Sequence, residues 1–152
     1  MSQVINFLQE RYYVDEKTEP VWKKVRNHPI IEKHQITRLE VSMMATAIGF
    51  LKGLRVKGKF TYSSGGWMQH VKKAHIEKIE HKNAIAMIVS IAVKEEGLDI
   101  LNEDIKVIQN IAHEYGNGGV HQLLKILNME SEDKVIGELF SLMKKASKQI
   151  NS

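Results

Sequence analysis

Apolar residues recur every three to four positions along most of this chain, and that spacing commits it to helices packed on one another. Val4, Ile5, Leu8 and Tyr12 trace a short amphipathic helix ending near Tyr13. After the charged break from Asp15 to Glu19, Pro20 opens a second helix through Val21, Trp22 and Val25. Pro29 ends it, because the residue before a proline is pushed out of the helical region. Thr37-Arg38-Leu39-Glu40 carries the capping-box pattern, in which the hydroxyl and the carboxylate each satisfy an orphan N–H. The helix that follows, through Val41, Met44, Ala45, Ile48 and Leu51, is apolar nearly all round, as a central core helix is, and Gly53 is its stop.

Further helices are expected over 70–79 and over Asn83 to Lys94, the second stopped by Gly97. Asn102 reads as the N-cap of a helix with Ile105, Ile108, Ile111, Ala112 and Tyr115 on its inward face. A shorter helix through Val120, Leu123, Leu124 and Leu127 comes next. Ser131 caps a last one, with the stripe Val135, Ile136, Leu139, Phe140 and Met143. The expectation is a mainly α, compact single-domain bundle of about six to seven helices over residues 1–152, with a short hairpin or basic loop near 54–62.

Between the helices expected to end at Tyr115 and to begin at Val120 stand Gly116, Asn117, Gly118 and Gly119. Gly and Asn accept positive φ, so this run is expected to be a helix-to-helix turn. Bare main chain also lets a phosphate or carboxylate approach N–H groups, which makes the same four residues a candidate anion site.

The net charge of +4 is unevenly spread. Residues 1–75 hold 13 Lys or Arg against 6 Asp or Glu, a net +7, and residues 76–152 hold 9 against 12, a net −3. Within the basic half, Lys52, Arg55, Lys57 and Lys59 fall within eight residues, with Phe60, Tyr62 and Trp67 nearby and Lys72 and Lys73 beyond. Cations, glycines and aromatics so arranged are what a phosphate-contacting segment needs, and these six are the candidate nucleic-acid contacts. The same alternation suits an amphipathic edge strand guarded by lysines.

Catalytic signatures are lacking. With no cysteine, the chain has no disulfide, cysteine zinc site or thiol nucleophile, which fits a reducing compartment. Its seven histidines match no zinc-helix spacing, and a metal-assisted centre built on His113, Glu114 and His121 is the remotest reading. Ser63-Ser64-Gly65-Gly66 lacks the order of a nucleophile elbow. No catalytic residue, metal or cofactor is therefore expected. The N-terminus has no basic start or small-residue cleavage site, and no apolar run spans a bilayer, so the expected location is cytoplasmic. Met43 and Met44 are expected in the core.

The segments Ala45-Thr46-Ala47-Ile48-Gly49-Phe50, Lys52-Gly53-Leu54-Arg55, Leu98-Asp99-Ile100-Leu101 and Tyr115-Gly116-Asn117-Gly118-Gly119 resemble a family of small bacterial proteins encoded beside DNA phosphorothioation systems. The matches cover about a third of the chain. They leave out the part through about Ile36, and Gly116 stands where the family pattern has alanine. The resemblance implies a noncatalytic accessory protein of a DNA modification or restriction system acting against phage, whose partners are other proteins of that system. Direct DNA binding by the basic loop is the alternative.

Overall fold

The computed structural model describes residues 11–12, 14–57, 68–69 and 79–152, with side chains over 14–57 and 83–152. It is mainly helical. Among the described residues six α-helices follow one another, α1 (Glu19–Arg26), α2 (Pro29–Lys33), α3 (Arg38–Lys52), α4 (Ile79–Glu96), α5 (Ile105–Leu127) and α6 (Glu132–Ile150), with a 3-10 helix at Leu98–Asn102. Arg11–Tyr12 pairs antiparallel with Met68–Gln69, Arg11 opposite Gln69. Two residues expected at the end of a first helix are therefore extended; the rest of that helix, and the one expected over 70–78, lie outside the described residues.

Local signals set several ends. Thr37 Oγ1 accepts from Glu40 N while Glu40 Oε1 accepts from Thr37 N, the reciprocal box that starts α3. At the other end Gly53 takes φ +66, and Leu54 N reaches back to Gly49 O, a left-handed termination that any Cβ would strain. Ser131 caps α6 by accepting from Lys134 N. Two expectations shift. Asp104, rather than Asn102, caps α5, because Leu98–Asn102 has closed into the 3-10 helix and only Asp104 can reach Lys106 N. Pro29 does more than end α1: it opens α2, with His28 Nδ1 accepting from Ile30 N.

The main correction concerns residues 116–119. No turn is there: the two expected helices are one, and the whole run lies inside the 23-residue α5. Gly118 and Gly119 have other backbone lying against them. A Cβ on Gly119 would overlap the carbonyl oxygen of Ala45 and stand 2.6 Å from Gly49 N, and one on Gly118 would overlap Leu54 O. Gly49 meets Tyr115 O in the same way. Ala45 and Gly49 thus form, with Tyr115 and Gly119, a crossing where α3 and α5 touch main chain to main chain, closer than side chains allow. The helix-propensity penalty of about 1 kcal/mol per glycine is offset by that contact.

Around this crossing lie two apolar clusters. One joins Trp22, Val25, Ile31, Val41 and Ile48 to Val120, Leu123, Leu127 and Leu142; the other joins Ala47 and Phe50 to Ile88, Ile91, Ile108, Ile111, Tyr115 and Ile150. The segment 54–57, expected to belong to a hairpin or basic loop, runs over α5 as an extended strap with Val56 N donating to Glu114 O; 58–62 lies outside the described residues.

Candidate functional site

Three helices leave a groove between them. α3 contributes Glu40, Met43, Met44 and Ala47; α4 contributes Asn83, Ala86, Met87 and Ser90; α6 contributes Met143, Ala146, Ser147 and Ile150, with Ile36 and Asn151 at the margins. Its volume is about 640 Å³, in the range of sites that take a ligand or an inserted side-chain row. Four methionines give it an unbranched, polarizable lining that adapts to differing shapes. Met43 and Met44, expected in the core, are half-buried and divide themselves between core and groove. Along α3 the lining from Glu40 to Ala47 runs two helical turns, about 10 Å. Among the described residues Glu40 is the one charged side chain in it, and no cation pairs with it.

On α5 the buried residues are polar as well as apolar. Asn117, fully buried, accepts at Oδ1 from Asp15 N (3.0 Å), Thr18 Oγ1 (2.6 Å) and Trp22 Nε1 (3.1 Å), and donates through Nδ2 to His113 O at 2.7 Å. One amide thereby fastens the chain from Asp15 to Trp22 onto the central helix. The backbone N–H groups of Gly116 to Gly119 point along a continuous helix towards carbonyls four residues back. The candidate anion site thus loses the exposed N–H groups it required; what these four residues supply is close packing and one buried amide.

Arg55 lies near that stretch, but with carboxylates instead of an open anion site. Its Nε and Nη2 donate to Glu114 Oε1 at 3.1 and 2.9 Å, and Nη1 to Glu95 and Glu96 at 3.1 and 3.3 Å. The Tyr115 hydroxyl donates to Glu95, and the guanidinium stands 5.8 Å from the Tyr115 ring centre. Burial alone would lower the Arg55 pKa; the hydrogen bond and charge of Glu114, then Glu96 and Glu95, outweigh it and raise it. Burial first, then the hydrogen bond to Glu95, pushes the Tyr115 phenol far above its usual range. The cluster ties α3's strap to the end of α4 and the middle of α5.

Of the other candidate nucleic-acid contacts, Lys52 ends α3 and is exposed, as is Lys57 on the strap. Lys59, Lys72 and Lys73 lie outside the described residues. The remotest reading finds no constellation: His113 is buried and His121 exposed two turns on, Glu114 is held by Arg55, and among the described residues no group of three or more His, Asp, Glu or Cys could hold a metal. No described helix is long and apolar enough to cross a membrane.

Sequence reasoning missed the groove, because its lining comes from three helices whose facing only the fold decides. It also missed the crossing, though a signal was present: Ala45 and Gly49 are spaced by four within an apolar helix, the interval that brings small residues onto one face. Compared with known proteins, the chain matches no family profile, no curated protein and no solved structure.

Proposed function

We propose that this chain is a noncatalytic, partner-binding accessory protein of a bacterial DNA modification or restriction-type system acting against phage, and that its methionine-lined groove receives an amphipathic helix from another protein of that system. The groove carries the reading. Anchors at i, i+3 or i+4, and i+7 on a bound helix span about 10 Å, the length of the lining along α3. Glu40 at one end selects a helix with a Lys or Arg beside its apolar row. The assignment to a defence system rests on the resemblance of four short segments.

Co-expression with the products of neighbouring genes, one at a time, tests both parts. A complex is expected with one such product, lost on Met87→Glu and weakened on Glu40→Gln, which removes the charge but keeps the oxygen that caps α3, with the helical signal of each variant unchanged. Failure of every neighbouring product to bind, or a complex indifferent to both changes, overturns the proposal. Direct duplex binding is the competing outcome. It would appear as an affinity falling steeply with salt and abolished by Lys52→Glu with Lys57→Glu, two exposed residues whose replacement leaves the Arg55 cluster intact.

A further inference from the structure

We propose that the outward face of α6 is a self-association surface, on which two copies of this chain cross antiparallel about a two-fold axis. The proposal begins with Gly137. Gly49, Gly118 and Gly119 stand under other backbone, and Gly53 and Gly97 need positive φ; Gly137 is helical and an added Cβ there would meet nothing within 4 Å. A glycine in an exposed helix interior weakens the helix, and inside this fold nothing compensates.

Beside it stands Phe140, 73% exposed, with Ile136 on the same side at 46%. A bare backbone spot next to a projecting ring is a hole next to a knob. Asp133, Gly137, Phe140 and Lys144 are spaced four, three and four apart, which keeps them on one stripe of the helix, facing away from buried Val135, Leu142 and Ala146. The stripe complements itself. An antiparallel crossing centred between Glu138 and Leu139 sets each Phe140 over the partner's Gly137 and, in the same register, each Asp133 opposite the partner's Lys144. Both charges are exposed, and among the described residues neither is in an ion pair. A two-fold axis requires a patch to match its own reverse, and this one does in shape and in charge. The partner is therefore a second copy.

A single helix pair buries little area, so the dimer is weak and in exchange with monomer. Sedimentation equilibrium of the full chain from micromolar to near-millimolar concentration should show a monomer–dimer equilibrium. Phe140→Asp should raise the dissociation constant roughly 100-fold or more, because two rings lose their burial. Lys144→Glu should raise it several-fold, by making both charge pairs repulsive, and Asp133→Lys with Lys144→Glu should restore it. Gly137→Leu, which fills the hole, should weaken the dimer without unfolding the monomer. A chain that stays monomeric throughout, a dimer untouched by Phe140→Asp or Gly137→Leu, or a double charge swap no better than the single one each overturns the proposal.

Discussion

Replacing Gly119 by alanine sets two effects of opposite sign against each other, and the structure decides between them. Helix propensity alone favours alanine by about 1 kcal/mol. Against that, the new methyl would overlap Ala45 O and lie 2.6 Å from Gly49 N and 3.0 Å from the Ala45 carbonyl carbon. All three are main-chain atoms of α3, so no rotamer change relieves them. To reach ordinary contact α3 and α5 must part by most of an ångström at their closest point, which loosens Ala45, Gly49 and Tyr115 together. Overpacking a dense contact costs about 1–3 kcal/mol where side chains can yield, and the backbone here places it at or above the upper end. The net is a loss of about 2 kcal/mol or more, a fall in Tm of about 4–8 °C for a chain of this length. Gly137→Ala, with open space around its methyl, is the internal control and should raise Tm by about 2–4 °C. Thermal unfolding followed by circular dichroism at dilute concentration measures both. If Gly119→Ala is as stable as the parent, the close crossing is not what those glycines serve.

Four further outcomes follow from the hydrogen-bonded polar groups. Asn117→Ala strips three donors of one acceptor and should cost about 3 kcal/mol or more, with a red shift of Trp22 emission as Asp15 to Trp22 loosens. Arg55→Gln leaves Glu114 buried without its cation and should cost about 3 kcal/mol in denaturant unfolding, part of it recovered by adding Glu114→Gln. Lys33 and His34 hydrogen-bond Glu132 and hold its carboxyl below the usual 4.5, so its contribution is complete above that pH and lost as pH falls through the folded value. The Tm gap between parent and Glu132→Gln should accordingly close as pH drops from 6 to 3. The Tyr115 phenol is raised by burial and by Glu95, so its contribution is complete below its ordinary pKa of 10 and declines as pH rises beyond. Tyr115→Phe should lose less stability than the parent between pH 10 and 12.

The parts of this fold legible in the sequence are those decided within a few residues. Thr37 with Glu40, Ser131 and Gly53 act through bonds to neighbours three to five positions away, Pro20 through its fixed φ, and each starts or stops a helix where its chemistry says it must. Gly116 to Gly119 misled for the complementary reason. Their local preference is for a turn, and it is overridden where Gly118 and Gly119 meet Ala45, Gly49 and Leu54, some 60 to 75 positions earlier in the chain. Arg55 misled likewise: its sequence neighbours are cations, while its neighbours in space are Glu95, Glu96 and Glu114. The groove depends on which faces of α3, α4 and α6 are left uncovered, and no periodicity records that.

These placements separate what holds the protein together from what it offers to others. α5 supplies Gly118, Gly119, Asn117 and Glu114, which fix α3, the strap after it and the segment from Asp15 to Trp22, yet it contributes no residue to the groove. The outward stripe of α6 likewise lies away from α5, on the far side of Val135 and Leu142. The groove lining on α3, α4 and α6 can change without disturbing the crossing beneath it, because among the described residues no groove side chain hydrogen-bonds to Ala45, Gly49, Tyr115 or Gly119. Groove substitutions at an exposed position, such as Ala86→Glu, should therefore leave thermal unfolding within about 2 °C of the parent, as exposed positions away from caps and buried polar groups do. A groove variant that unfolds like Asn117→Ala would show instead that the methionines are core, and that the groove is closed by the protein itself in solution.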